Sequence, residues 1–301
     1  MKIPGTIQVD LDGYWAIMEH FGCTADAEED PIFKRSIDRF LDLFDNYRIR
    51  ATFFVVGKDL TISWKIKLVE KIIKKGHEIA NHTMNHKRSF SSLPTHEQTE
   101  EILSGENIIR KLFGIKTCGF RSPGFDAGPE LFEILGENKY LYDSSSLPLL
   151  LPSFFRQLQR YLSVNHKTNP TYLGNINYKC LSLRPHRPKK NDGTRYDLLE
   201  IPVTTIPCIH IPFHASYIIA LKSKGFGSII LKTGFALVQR VNLPLNYLFH
   251  LADLADPIHD QKIKGHFGIT LRADEKLMIV ESIIKEILKK FEIRPTYHFA
   301  N

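Results

Sequence analysis

Short apolar runs that close on polar residues, separated by stretches of helical periodicity, constrain this 301-residue chain more than any other feature. Thr6 to Val9 closes on Asp10, and Ala51-Thr52-Phe53-Phe54-Val55-Val56 is a second run of the same kind. Between them, a helix from about Pro31 to Asp45 places Phe33, Ile37, Phe40, Leu41 and Phe44 on one face. A second helical stretch, Ser63 to Lys75, carries Ile66, Val69, Ile72 and Ile73 and stops at Gly76. Glu78-Ile79-Ala80 follows as a third run, and Thr95 with Gln98 reads as a capping box for a helix reaching Gly114. Gly119-Phe120-Arg121 and Tyr140-Leu141-Tyr142-Asp143 look like further strand ends. Repeated strand, turn and helix units imply a parallel sheet whose strand ends gather polar side chains on one rim.

The pattern breaks between 147 and 197. Leu147 to Phe155 is very apolar, and Arg184-Pro185-His186-Arg187-Pro188-Lys189-Lys190 is basic and turn-rich. We read this stretch as an insertion over the rim of a single domain spanning 1–301. Leu198 to Val203 resumes a strand, Leu245 to His250 is expected to be the last one, and an amphipathic helix from Glu275 to Phe291 closes the chain.

The rim positions carry the chemistry. Asp10 and Asp12 stand two apart at the end of the first run, where strand alternation directs both to one side. His82 and His86 follow the third run. If that segment turns into helix, their four-residue spacing projects both imidazoles from one face towards a single metal ion. Thr83, not glutamate, follows the first histidine, so a general base must come from elsewhere. A His, His, Asp set leaves coordination positions open, as a catalytic site requires. Taken singly, each element has a plainer use: Asp-x-Asp as turn-former, histidine as one of 13 in the chain, Arg121-Ser122-Pro123-Gly124 as a turn.

Together, Val9-Asp10-Leu11-Asp12-Gly13, His82-Thr83-Met84-Asn85-His86, Phe120-Arg121-Ser122-Pro123-Gly124-Phe125 and Tyr142-Asp143-Ser144-Ser145 resemble, in that order, the motifs of the polysaccharide deacetylase family. This is the NodB-homology group of carbohydrate esterase family 4. The resemblance is strong over 6–146, weaker over 198–256 and absent from the insertion. It implies a distorted (β/α) barrel and metal-dependent hydrolysis of an N-acyl group, acetyl or formyl, on an aminosugar. Asp10 then matches the catalytic base. Asp12, His82 and His86 match the ligands of a divalent ion, Zn²⁺ or a similar one, and Arg121 matches the arginine that orients the base and keeps it ionised. The backbone N–H near Gly124 is expected to stabilise the oxyanion. For the family's late general-acid histidine we choose His250, with His210, His214 and His266 left open. Asp143 is the expected support of that acid.

A net charge of +7 suits an acidic partner. The four cysteines, Cys23, Cys118, Cys180 and Cys208, form no Cys-x-x-Cys pair, and Met1 to Thr6 runs straight into a strand, which together read as a cytoplasmic chain without a signal peptide. An intracellular N-acyl sugar, or one on a lipid carrier at the cytoplasmic membrane face, fits that location. Leu147 to Phe155, and the apolar residues of Phe213 to Leu243 flanked by Lys222, Lys224, Lys232 and Arg240, suit peripheral contact with an anionic membrane. The same segments equally suit helices packed inward. The alternatives are a metal-dependent amidohydrolase acting on a ureide or cyclic imide, and a non-catalytic binding protein using the basic surface; no nucleic-acid partner is expected.

Overall fold

The computed structural model describes residues 2–150, 182–190, 192–222, 226–263 and 269–300. The strands are β1 (Ile3–Asp10), β2 (Thr52–Val55), β3 (Glu78–Asn81), β4 (Gly119–Phe120), β5 (Tyr142–Asp143), β6 (Leu199–Glu200), β7 (Thr205–Ile206), β8 (Ile211–Pro212), β9 (Leu245–His250) and β10 (Phe291–Ile293). The helices are α1 (Tyr14–His20), α2 (Pro31–Asn46), α3 (Ser63–Lys74), α4 (Thr95–Phe113), α5 (Pro129–Glu137), α6 (Ala215–Lys222), α7 (Gly227–Arg240) and α8 (Ala273–Lys290).

β1 is the organising strand. One edge pairs with β9 from Gly5 to Asp10; the other is shared by β10 at Ile3–Gly5 and β2 at Gln8–Asp10. From β2 the sheet continues through β3, β4, β5 and β6, all parallel. The chain after β6 returns to β9, where Thr204 N–H donates to the Asn246 carbonyl at 3.0 Å and Asn246 Nδ2 bonds the Ile201 and Pro202 carbonyls. The sheet therefore curls into a distorted (β/α) barrel with its strand carboxyl ends on one rim. β7 and β8 form a separate antiparallel pair.

The helices follow from their sequences. Asp30 caps α2, its Oδ1 accepting from Ile32 and Phe33 N–H at 3.0 Å, with Pro31 preset at the first helical position. The predicted stripe of Phe33, Ile37, Phe40, Leu41 and Phe44 is buried. Phe40 meets Phe249 of β9 edge-on, and Phe44 meets Phe53 of β2. Each such ring stabilises the fold by about 1.5–3 kcal/mol, so Phe40→Ala is expected to cost about 3–5 kcal/mol. α4 stops where Gly114 takes φ +70° and returns its N–H to Arg110.

Two sequence expectations are corrected. α4 has no capping box: Thr95 is already helical, Pro94 stands before it, and the Gln98 side chain donates to the Leu93 carbonyl instead. β9 is not the last strand, because α8 ends at Lys290 and the chain turns at once into β10. Among the described residues of the segments expected at a bilayer, Leu147 and Leu149 pack with Val203, Leu248 and Phe125, and Phe213, Ile218, Ile219, Leu231, Phe235 and Val238 join the main core, while Leu150, Phe226, Ile229 and Val241 are exposed. Residues 151–181 and 191 of the expected insertion, with Lys224, His266, Cys180 and the side chain of Lys222, lie outside the described residues. No helix among the described residues is long and apolar enough to cross a membrane.

Candidate active site

Asp12, His82 and His86 converge at the carboxyl ends of β1 and β3. Asp12 Oδ1 lies 3.3 Å from Nε2 of each histidine, and one ligand atom from each of the three residues falls within 4.8 Å of the others. The route differs from the helical turn expected of the histidine segment. Thr83 and His86 both adopt left-handed backbone, with φ of 65° and 51°, so a tight non-helical loop brings the rings together.

Local hydrogen bonds dictate that loop. Asn81 Oδ1 accepts from Thr83 N–H at 3.0 Å, and Thr83 Oγ1 accepts from His86 N–H at 3.0 Å. Glu101 of α4 takes both the N–H and the side-chain amide of Asn85 at 2.7 Å, while its carbonyl accepts from Met84 N–H. Gly105 lets α4 come this near: a Cβ there would lie 2.5 Å from Asn81 Oδ1 and 2.9 Å from the Thr83 backbone.

The donor set fits a divalent cation. His82 Nδ1 lies 2.7 Å from the Arg121 carbonyl, which can only accept, so Nδ1 carries the proton and Nε2 keeps its lone pair towards Asp12. Asp12 Oδ1 and His86 Nε2 are buried atoms without a hydrogen-bond partner, as expected of groups shaped to meet an ion. Burial alone would raise the Asp12 carboxyl, but the two facing imidazoles hold it well below the usual carboxylate range. Burial likewise opposes a charge on His82, yet the Asp12 and Asp10 carboxylates raise it above the ordinary histidine value. The pocket thus favours positive charge beside Asp12.

Asp10 sits next to this triad with its two oxygens differently engaged. Oδ1 accepts from Arg121 Nη1 at 2.6 Å, and Oδ2 lies 3.9 Å from His250 Nε2. Arg121 is fully buried, against the Phe54 ring, and is fixed from every side: Nε bonds the Ser144 carbonyl, and Nη2 bonds both Ser144 Oγ and Gln8 Oε1. Asp143 braces the same neighbourhood. It accepts from Ser145 Oγ at 2.6 Å and Ser145 N–H at 3.2 Å, while Ser145 Oγ accepts from Ser122 N–H. Burial raises the Asp143 carboxyl, which also bonds Glu200. His250 ends β9 in register with Asp10. Its Nδ1 meets Ser216 Oγ at 3.1 Å. His214 stacks edge-on against His250 at 5.5 Å, and His210 is partly exposed on the turn between β7 and β8.

A buried ion cluster underlies the β1 loop. Lys65 Nζ bonds Asp30 Oδ2 at 2.8 Å and Asp59 Oδ1 at 2.6 Å, with all three side chains fully buried. Asp59 also accepts from Trp15 Nε1 at 2.8 Å, and the Trp15 ring meets His86 edge-on. Gly13 makes this closeness possible, since a Cβ there would lie 2.4 Å from Asp30 Oδ2. Sequence reasoning missed Gln8, Asn81, Glu101, Lys65, Ser216 and Asp253. Gln8 alone left a signal, as an amide inside the apolar run Ile7-Gln8-Val9.

Comparison with known proteins agrees with this geometry. The polysaccharide deacetylase family model matches residues 24–142, a span that includes His82, His86 and Arg121 and leaves Asp10, Asp12 and His250 outside it. A peptidoglycan-N-acetylglucosamine deacetylase of Bacillus cereus is 34% identical over 118 residues, covering 39% of this chain and 52% of the relative. A chitooligosaccharide deacetylase of Bradyrhizobium is 36% identical over 70 residues, covering 23% of this chain and 31% of the relative. The chain thus spans about half, or less, of the curated relatives it matches. Among solved structures, one from Pseudomonas aeruginosa PAO1 assigned to the polysaccharide deacetylases superposes with a TM-score of 0.58 at 14% identity, over 99% of this chain and 89% of that one. Puue allantoinase superposes with a TM-score of 0.59 at 13% identity over the same shares. These structural likenesses speak to the fold. The match to the polysaccharide deacetylase family model over residues 24–142 thus lies on a barrel whose fold resembles those solved structures.

Proposed function

We propose that this protein is a metal-dependent hydrolase that removes an acetyl or formyl group from the nitrogen of an aminosugar. The observation that carries the reading is the juxtaposition of the Asp12, His82 and His86 triad with an Asp10 carboxylate clamped by Arg121 and faced by His250. Asp12, His82 and His86 would hold a divalent ion, Zn²⁺ by their nitrogen and carboxylate donors, which would supply Lewis acidity and lower the pKa of bound water. Asp10 accepts the proton of the attacking water through the oxygen that Arg121 leaves free. Arg121 fixes the direction of that carboxylate, and Asp143 braces the Ser122 to Ser145 contact behind it. The backbone N–H near Gly124 is the donor proposed to stabilise the developing oxyanion. His250 Nε2, on the far side of Asp10, delivers a proton to the departing amine.

The direct test is release of acetate or formate from free, nucleotide-linked and lipid-linked N-acyl aminosugars with added Zn²⁺ or Co²⁺. Turnover of any of these supports the assignment. Hydrolysis confined to a ureide or cyclic imide would replace it with the amidohydrolase reading. A folded, metal-loaded protein inert towards all of them would favour a binding role.

A cytoplasmic, lipid-linked substrate is the finer reading. Cys23, Cys118 and Cys208 are unpaired, which suits a reducing compartment. Around the start of α7, Phe226 and Ile229 are 62% and 65% exposed, and Lys232, Ala236 and Arg240 continue the exposed face of that helix. Exposed apolar side chains beside basic residues are the composition of a surface that meets anionic lipid. Co-sedimentation with phosphatidylglycerol vesicles is expected to fall with rising salt and to weaken in Phe226→Ser and Ile229→Ser; absence of binding at low salt would remove this reading.

A further inference from the structure

We propose that Gln8, Thr52 and Thr296 are positioning residues for Arg121, forming a buried hydrogen-bonded column through the barrel interior that holds the guanidinium against Asp10. The inference rests on the reading of Asp10 as the base and adds what fixes the arginine that directs it. Strand alternation puts Thr6, Gln8 and Asp10 on one face of β1, opposite to Ile7 and Val9, which join the main core. In the parallel register Thr52 of β2 stands beside Gln8, and Glu78 of β3 stands beside Thr52. Thr296 opens the turn Thr296–Phe299, which follows β10 and closes the barrel at the amino ends of β2 and β3, with Tyr297 and Phe299 packed against Phe54, Ala80, Tyr142 and Ile201. Thr6, Gln8, Thr52 and Thr296 are all fully buried. Branched apolar side chains ordinarily fill such an interior, so a column of hydroxyls and an amide leading to Asp10 calls for a role.

The hydroxyl hydrogens give the column one direction. Thr52 Oγ1 donates its hydrogen to Glu78 Oε2 at 2.6 Å; the same carboxylate accepts from Tyr297 N–H at 3.1 Å and from Tyr142 Oη at 2.8 Å. At the 2.8 Å contact between Thr52 Oγ1 and Thr296 Oγ1 the hydrogen therefore comes from Thr296. With that hydrogen spent, Thr296 Oγ1 accepts from Thr6 Oγ1 at 2.9 Å and from Gln8 Nε2 at 3.1 Å. The Gln8 amide thus has an acceptor facing its nitrogen. Its other end meets Arg121 Nη2, which can only donate, so Oε1 must lie on that side. Turning the amide over would set donor against donor. Arg121 Nη1 then completes the column by donating to Asp10 Oδ1 at 2.6 Å. Ser144 holds the guanidinium from beyond β5, and Gln8 holds it from β1, the strand that carries Asp10 itself. Removing the Thr296 hydroxyl strands buried polar groups and releases the Gln8 amide from its fixed orientation, and with it the arginine that aims the base.

The test uses the full chain loaded with Zn²⁺, with Thr296→Val, Thr296→Ser and Gln8→Leu. Thr296→Val keeps the shape and removes the hydroxyl; Thr296→Ser keeps the hydroxyl. In steady-state deacylation of an N-acetylated or N-formylated aminosugar, Thr296→Val is expected to lower kcat about 10-fold and Gln8→Leu about 100-fold, with KM within about threefold and the metal retained. Thr296→Ser is expected to restore most of kcat. NMR of protein labelled with ¹⁵N-arginine, with the Arg121 signals assigned by their loss in Arg121→Lys, gives a readout independent of turnover. A guanidinium bonded at every nitrogen rotates slowly, so the parent protein and Thr296→Ser should show separate Nη1 and Nη2 signals, and Thr296→Val should show them merged. Merged signals in the parent protein, or separate ones in Thr296→Val, overturn the column even if no acyl substrate is ever found. With the expected signals present and deacylation established, an unchanged kcat in Thr296→Val overturns the positioning role alone.

Discussion

His82 Nδ1 donates to the backbone carbonyl of Arg121 at 2.7 Å, while the Arg121 side chain holds Asp10. One residue after β4 therefore sets the orientation of both a metal-ligand candidate and the base candidate. Arg121→Ala is expected to leave the Asp10 carboxylate buried without its cation and to cost about 3–5 kcal/mol of stability, measured by urea denaturation. Arg121→Lys retains the charge but not the fork that reaches Asp10, Gln8 and Ser144 together. It should fold, hold metal and lose kcat by at least about 100-fold. Near-parental kcat in a folded Arg121→Lys protein would show that the guanidinium geometry is dispensable.

The division of labour between Asp10 and Asp12 separates in two measurements. Asp10→Asn is expected to keep its metal through dialysis, read by elemental analysis, and to lose turnover by about 10²–10⁴-fold. His82→Ala and Asp12→Asn are expected to lose the metal to a chelator at concentrations that leave the parent loaded. Metal loss from Asp10→Asn with retention in Asp12→Asn would reverse the two roles.

The Lys65 cluster gives a stability prediction tied to the β1 loop. Lys65 is the shared cation of Asp30 and Asp59, and burial already pushes the Asp59 carboxyl up to about 6. Lys65→Ala leaves two uncompensated buried acids and is expected to cost about 3–5 kcal/mol. Because Asp59 also holds Trp15, whose ring abuts His86, the variant should lose metal affinity together with stability. Full metal affinity in the destabilised variant would uncouple the cluster from the site.

Much of this molecule is legible in its sequence where one element carries its own signal. The α2 stripe, the stops at Gly76 and Gly114, and the polar ends of β1 and β3 are local facts about consecutive residues, and the rim that gathers Asp10, Asp12, His82 and His86 follows from them. What escapes is whatever depends on partners far along the chain. β10 is three residues long and follows α8 directly, so periodicity extends the helix through Phe291; only its pairing with Ile3–Gly5 makes it a strand. The histidine loop is set by Glu101 on α4, and the partner of His250 lies on α6. Neither contact has a spacing to read.

His77 carries a pH prediction. The ring is buried between Phe44 and Phe53, and Nδ1 accepts from Ala51 N–H at 3.1 Å, which requires the neutral form. Burial, with Arg50 adding to it, lowers its pKa from the ordinary 6.5 to about 4. The unfolded chain therefore binds a proton below about pH 6.5 that the folded one takes up only near pH 4, so this contribution to stability is fully present above that window and is lost as pH falls through it. The loss reaches on the order of 3 kcal/mol at the acid end. His77→Asn, whose Oδ1 can replace Nδ1 as acceptor, is expected to flatten the dependence of unfolding free energy on pH between about 6.5 and 4, measured by urea denaturation at half-unit steps. An equally steep dependence in the variant would place the acid sensitivity on other groups, the buried imidazole of His214 first among them.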